Sequence, residues 1–334
     1  MLLATPRFWY RRRPGPLACL LQPLGWLYGQ AVGWHRRCSR PLRLPVPVVS
    51  VGNITLGGTG KTPLAIALVR ELQGRGWRVA VLLRGYGSVH QAPCAVHPEQ
   101  AASAVGDEAL EYCHHLPGVQ VWVGRDRLAS GRAAIAAGAT LLLLDDGLQH
   151  WRLARDCDIS VLDQGHGLGN GLVFPAGPLR EEAPNLGRAD LLVLTGCAPQ
   201  VRPRPPECWP ATRPWLPLAS WVEPPPDLVA QPLLAFCGIG LPAKFFAALE
   251  RADLRLVDRQ AFPDHHPYAQ RELECLQQRA DALHATLVTT VKDWQRLPAS
   301  WRQRVRPLPL VLDPHGVTAV VEAVLGQLTG AADG

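Results

Sequence analysis

The residues with the most definite chemistry are Val48-Val49-Ser50-Val51-Gly52-Asn53-Ile54-Thr55-Leu56-Gly57-Gly58-Thr59-Gly60-Lys61-Thr62. An apolar strand runs into a glycine-rich turn, then Gly-Lys-Thr, then a helical pattern. Glycines let backbone N–H groups crowd around phosphate oxygens, and a helix N-terminus adds partial positive charge. On this reading Thr55, Leu56, Gly57, Gly58, Thr59, Gly60, Lys61 and Thr62 hold a nucleoside triphosphate. Lys61 reaches its outer phosphates as a compact cation and Thr62 supplies a hydroxyl to Mg²⁺. Thr55 stands where G-x-x-x-x-G-K-[ST] has its first glycine.

Such a loop needs an apolar strand that ends in an acid. Residues 139–150, Ala-Thr-Leu-Leu-Leu-Leu-Asp-Asp-Gly-Leu-Gln-His, supply one, with Asp145 and Asp146 at its C-terminal end, where ligands collect in open α/β sheets. Either carboxylate can hold Mg²⁺ through water; the plainer alternative is a loop acid capping a helix. Gly106-Asp107-Glu108 opens a helical pattern, either as acids in a first turn or with Asp107 as a general base for an acceptor hydroxyl. Asp264-His265-His266 can tune such a base. Arg180, in Gly177-Pro178-Leu179-Arg180-Glu181, can neutralise phosphate charge in a transition state. Tyr86, in Arg84-Gly85-Tyr86-Gly87, suits a sugar contact as well as a turn. Thr290-Val291-Lys292-Asp293 lacks the spacing of a guanine reader and gives GTP no support.

The elements that must position these groups follow from periodicity. Strands are expected over 46–51, 78–83, 119–123, 139–144, 159–162 and 191–194, with helices over 61–73, 107–115 and 125–137. Apolar strands alternating with helices indicate an α/β fold with a doubly wound, mostly parallel sheet. Residues 164–187 form a long Gly/Pro-rich loop, of the kind usually kept for function. Ten prolines between Pro199 and Pro226 read as a linker or crossover. A second alternation follows: strand 233–237, helix 243–251, strand 254–258, helix 269–284, strands 286–290 and 308–312, helix 317–328. The expected organisation is an N-terminal segment 1–44, a phosphate-loop core 45–198, a proline-rich linker 199–228 and a smaller α/β domain 229–330, with nucleotide and acceptor meeting in the cleft.

Composition narrows the class. The 334 residues are 47% apolar and 19% charged, which excludes wholesale disorder and a polytopic membrane protein. Nine cysteines without a C-x-x-C pair argue against a disulfide framework or zinc ribbon. Among 34 Lys and Arg residues only Lys61, Lys244 and Lys292 are lysine; a high-GC genome gives that bias without functional cause, yet the few lysines are the places to look for jobs a guanidinium cannot do. No acid precedes Glu71, whereas Arg7, Arg11, Arg12, Arg13, Arg36, Arg37, Arg40 and Arg43 flank an uncharged stretch, 14–34. Pro23, Gly25, Gly29 and Gly33 suit that stretch poorly to a span. Leu17, Leu20, Leu21, Leu24, Leu27, Tyr28 and Ala31 share one helical face, so the expectation is an amphipathic helix on an anionic membrane surface.

The ordered set V-G-N-x-T-x-G-G-T-G-K-T-P, R-G-Y-G, G-D-E, D-D-G-x-Q-H, G-P-L-R-E and D-H-H resembles the tetraacyldisaccharide 4′-kinase family, from about Val48 to Asp293. The resemblance implies ATP- and Mg²⁺-dependent phosphorylation of the 4′-hydroxyl of an acylated glucosamine disaccharide 1-phosphate at the cytoplasmic face of a Gram-negative inner membrane. It implies no nucleic acid and no obligate protein partner. It makes Asp107 the base and His265 its partner, with Lys61 and Arg180 acting on the transferred phosphate. Thr62, Asp145, Asp146, Gln149, His150, Arg180 and Glu181 become ligands of metal or phosphate. The substrate candidates are Asn53, Tyr86, Glu108, Gln149 and His150. Thr55 looks normal for this family, whereas Leu148, Leu83 and Val291 depart from its usual pattern. Two other readings fit the phosphate loop: a kinase of another small molecule, and a membrane-recruited ATPase switch.

Overall fold

A computed structural model describes residues 6–11, 13–85, 92–197, 203–264 and 266–330. The chain divides into two compact units, one made of residues 8–219 and 312–334, the other of residues 1–7 and 220–311.

The larger unit opens with helix α1 (Pro16–Cys38). It continues through β1 (Val48–Gly52), α2 (Lys61–Gly74), β2 (Val79–Leu83), β3 (Cys94–Ala95), α3 (Ala102–Val105), α4 (Asp107–His115), β4 (Gln120–Val123), α5 (Arg127–Ala136), β5 (Leu141–Asp145), β6 (Cys157–Asp163) and β7 (Leu191–Cys197) to β8 (Trp215–Val222). The smaller unit holds β9 (Leu233–Cys237), α6 (Pro242–Arg251), β10 (Leu256–Ala261), α7 (Gln270–Ala282), β11 (Thr286–Thr290), α8 (Val291–Arg296), α9 (Ala299–Arg302) and β12 (Arg306–Leu308); β13 (Leu310–Leu312) and α10 (Pro314–Gly330) follow.

The large sheet has the order β13-β8-β7-β6-β1-β5-β2-β4-β3. β1 lies between β5 and β6 and pairs parallel with both, Val51 opposite Asp145 and Ile159. β3 runs antiparallel to β4. Because both faces are covered, β5 is apolar up to its terminal Asp145 and its leucines sort by period two: Leu141 and Leu143 pack into one core, Leu142 and Leu144 into the opposite one. The smaller unit repeats this in a four-stranded sheet, β10-β9-β11-β12, where Leu233, Ala235 and Cys237 enter one core and Leu234 and Phe236 the other. The fold is therefore the expected doubly wound, mostly parallel α/β architecture with a second α/β unit and an N-terminal helix.

The boundaries differ from expectation in three places. Residues 215–222, assigned to a proline-rich linker, form β8 and pair parallel with β7. Strand 308–312 is two strands in two sheets, since Pro309 has no N–H to continue a ladder. Helix α10 belongs to the larger unit, where Val317, Val320, Val321 and Val324 pack into the same core as Leu64 and Leu68 of α2.

Helix α1 also belongs to the larger unit and passes through Pro23 unbroken. Its inward stripe is not the leucine face. Ala18 and Gly25 are buried, and a Cβ on Gly25 would stand 2.7 Å from the Val173 carbonyl oxygen of the long Gly/Pro loop. Leu17, Leu20, Leu24 and Leu27 stay exposed, Leu20 at 75%. Among the described residues no helix is long and apolar enough to cross a membrane. The close approach at residue 25 admits only hydrogen. Gly25→Val should cost about 1–3 kcal/mol, as overpacking does, and lower the thermal midpoint measurably, whereas Gly33→Ala, with open space around it, should not.

Candidate functional site

The phosphate loop is built around Asn53. This buried amide gives its Nδ2 hydrogens to Thr59 Oγ1 (3.1 Å) and Thr55 Oγ1 (3.3 Å), while its Oδ1 accepts from Lys61 Nζ at 3.1 Å. Gly57 and Gly60 take positive φ, 114° and 88°, a region open to glycine at little cost, and Gly60 so places Lys61 and Thr62 at the start of α2. Thr195 Oγ1 of β7 ties down the Thr59 carbonyl at 2.6 Å. Residues 54–56 are also laced to the long loop: Leu56 N donates to Pro178 O, and Arg180 N to Ile54 O, both at 2.7 Å. Asn53, expected to contact substrate, is thus committed to the loop itself.

The end of β5 meets this loop. Thr62 Oγ1 lies 3.4 Å from Asp145 Oδ2, and Tyr112 of α4 donates to the same oxygen at 2.8 Å. Asp146 turns with φ +53°, a left-handed conformation that aspartate tolerates better than most residues. Its carboxylate receives Arg180 Nη1 at 2.6 and 2.8 Å and lies 3.7 Å from Lys61 Nζ. Arg180 Nη1 also reaches Gln149 Oε1 at 3.3 Å. Gln149 Nε2 donates to the Asn53 carbonyl (3.1 Å) and to Glu181 Oε1 (2.8 Å).

Two adjacent carboxylates are pushed apart in acidity. Burial and then the neighbouring Glu108 raise Asp145 to about 6, against the opposing pull of Lys61. Burial acts upward on Asp146 too, but Lys61 and Arg180 outweigh it and hold the group at about 2. Burial and the Asp145 charge keep the Tyr112 hydroxyl protonated, as a donor must be.

The remaining expected residues fall as follows. Asp107 and Glu108 open α4 as its first-turn acids, five and four residues before Tyr112. Gly58 is exposed on the loop surface. Glu181 is 2% exposed and ion-paired with Arg188 through both oxygens, with Gln149 on one of them. His150 is partly buried, its Nε2 without a hydrogen-bond partner among the described residues, and burial together with Arg127 and Arg155 lowers it to about 4. Tyr86 and His265 lie outside the described residues. Asp293 is fully buried in the smaller unit, bound by Thr290 Oγ1 at 2.6 Å and facing Arg296 at 3.4 Å, which makes it an organising group at the start of α8.

Sequence reasoning missed Tyr112, Arg127, Arg188 and Thr195. Arg127 is buried, with Nη2 3.3 Å from the Asp145 carbonyl, and burial lowers it to about 10. No spacing rule identifies such residues, because their partners come from other elements; an arginine at the first position of a buried helix face was the one available signal.

Oxygen donors at the site suit a small hard cation. Asp145 Oδ1 is buried with no hydrogen-bond partner among the described residues, and Thr62 stands beside the other oxygen. Magnesium takes few protein ligands and fills its shell with water and phosphate, so the lack of any cluster of three His, Cys, Asp or Glu side chains among the described residues is compatible with it.

The tetraacyldisaccharide-1-P 4′-kinase family model matches residues 17–328. This chain belongs to that family. Among its relatives, the tetraacyldisaccharide 4′-kinase of Methylobacterium sp. (strain 4-46) is 42% identical, covering 99% of both chains. That of Phenylobacterium zucineum (strain HLK1) is also 42% identical, over 98% of this chain and 100% of its own. Of solved structures, Aquifex aeolicus LpxK in complex with ATP is similar with a TM-score of 0.72 and 25% identity, over 93% of this chain and 99% of that one. The family is one of kinases, so this tetraacyldisaccharide-1-P 4′-kinase family member is a phosphotransferase.

Protonation of His150 opposes folding. Its folded value of about 4 lies below the ordinary 6.5, so the unfolded chain takes up the proton first as pH falls. This contribution to stability is complete above 6.5 and drains away between 6.5 and 4. Thermal midpoints measured across that window should fall less steeply in His150→Gln than in the parent.

Proposed function

We propose that this kinase transfers the γ-phosphate of ATP to the 4′-hydroxyl of an acylated glucosamine disaccharide 1-phosphate, working peripherally at the cytoplasmic face of a Gram-negative inner membrane. One observation carries the reading: in a chain of this family, Lys61 and Thr62 at the start of α2 meet Asp145 and Asp146 at the end of β5. The triphosphate would lie on the phosphate loop, with Lys61 against its outer oxygens and Arg180 within reach of charge that develops on the transferred group. Thr62 and Asp145 would hold Mg²⁺, which when bound neutralises triphosphate charge. Asp146 sets Lys61 and Arg180 rather than competing for the ion. Asp107 takes the proton from the acceptor hydroxyl, and His265 tunes that carboxylate. Phosphoryl transfer asks for little beyond such positioning and charge neutralisation.

The lipid acceptor accounts for α1. Its exposed leucines, with Trp26 at 62% and Trp34 at 67% exposure, form an apolar surface between arginine clusters, which suits an anionic leaflet.

Incubation with ATP, Mg²⁺ and tetraacyldisaccharide 1-phosphate, followed by mass analysis, tests the reaction. A product heavier by one phosphate is expected; inorganic phosphate without it would favour an ATPase switch. Lys61→Ala should abolish most of the rate, whereas Lys244→Ala should leave it nearly intact. Asp107→Ala and His265→Ala should each lower kcat by about 10²–10⁴-fold, the usual worth of general-base assistance, with ATP affinity near normal. The double variant should be little worse than the more damaging single one.

Charging the outer face of α1 tests the membrane role without disturbing its inner stripe. Leu20→Glu combined with Leu24→Glu and Leu27→Glu should weaken sedimentation with anionic vesicles and raise KM for lipid while sparing KM for ATP. Unchanged vesicle binding would remove the surface assignment.

A further inference from the structure

Among the described residues Tyr112 is the largest side chain fully withdrawn from solvent, and it spends its hydroxyl on one carboxylate oxygen. Its ring belongs to the apolar core on one side of the large sheet, the core that also takes in Val105, Ala109, Cys113 and Leu116. It donates to Asp145 Oδ2 at 2.8 Å, and Thr62 Oγ1 approaches the same oxygen at 3.4 Å. The other oxygen, Oδ1, is buried with no hydrogen-bond partner among the described residues. The backbone behind it is held as well, since Arg127 Nη2 donates to the Asp145 carbonyl at 3.3 Å.

A carboxylate in a buried pocket can rotate to satisfy whichever oxygen finds a donor. Tyr112 biases that choice by donating to Oδ2 from the core side. Donors that orient a ligating carboxylate from outside the coordination shell typically matter 10–100-fold in metal affinity. We propose that Tyr112 is a positioning residue that locks the Asp145 carboxylate so that Oδ1 is presented to the nucleotide-bound divalent cation. The inference rests on the assignment of Asp145 as a cation ligand made above, and it extends that site into α4, the helix that begins with Asp107.

The test uses the full chain and a fluorescent, non-hydrolysable ATP analogue titrated with Mg²⁺. The parent should bind the analogue more tightly as Mg²⁺ rises. Tyr112→Phe keeps the ring and its packing, so analogue affinity without Mg²⁺ should be unchanged, while the Mg²⁺ midpoint rises about tenfold. In turnover, kcat should fall at fixed Mg²⁺ and recover as Mg²⁺ is raised, with KM for the lipid acceptor unaltered. Asp145→Asn and Asp145→Asn/Tyr112→Phe should share one midpoint, because the hydroxyl acts only through that carboxylate. Cys113→Ala, which loosens the same helix without touching the hydroxyl, should leave the midpoint where it is and shows what mere destabilisation does. A Tyr112→Phe midpoint within twofold of the parent overturns the proposal, as does a Cys113→Ala shift of equal size or a double variant whose losses multiply. If the parent itself shows no Mg²⁺ dependence, the cation assignment fails and the proposal falls with it; if the parent depends on Mg²⁺ and Tyr112→Phe does not differ from it, the positioning role alone fails.

Discussion

Two carboxylates at consecutive positions, both set among loop and core, have to be kept from repelling each other. The rest of the site is arranged around that constraint. Asp146 is answered by Lys61 and Arg180, so its charge is spent within the protein. Asp145 receives neutral donors, the hydroxyls of Tyr112 and Thr62, and keeps one oxygen without a hydrogen-bond partner among the described residues. Cationic neighbours hold one group ionised and burial makes the other reluctant to ionise, which gives the neighbours different chemical uses.

The same cations are held in turn by their surroundings. Asn53 clamps the lysine from within the loop, and Gln149 links Arg180 to Glu181. Glu181 is anchored by Arg188, whose guanidinium also lies 4.6 Å from the centre of the Trp151 ring. Backbone bonds between residues 54–56 and 178–180 then make the phosphate loop and the long Gly/Pro loop one layer. A buried polar network of this kind is rigid only if its members are satisfied together, which explains why so many side chains far apart in the chain converge there.

Helix α1 joins that layer rather than standing apart from it. Its small residues allow the backbone to approach Val173, and the Trp9 indole just ahead of the helix donates to the Pro175 carbonyl at 3.0 Å. Close packing uses the face with little side-chain volume and leaves the leucine face outward. A helix can therefore be docked on its own protein and still offer an apolar surface, since the two roles use opposite stripes.

The sequence by itself determined what depends on near neighbours and on period. The strand-turn-helix of the phosphate loop, the five buried residues of β5 ending in Asp145, helix α4 beginning at Asp107, and the alternation that makes both units α/β were all legible, because hydrophobic pattern and turn chemistry act locally. The ordered motifs pointed to the family for the same reason. Only the tertiary structure decided that Asn53 serves the loop, that Glu181 is taken by Arg188, that Tyr112 addresses Asp145 across 33 positions, and that β8 and α10 complete the larger unit. A buried polar atom takes the partner that folding brings to it, and that partner's distance along the chain leaves no mark in composition or spacing.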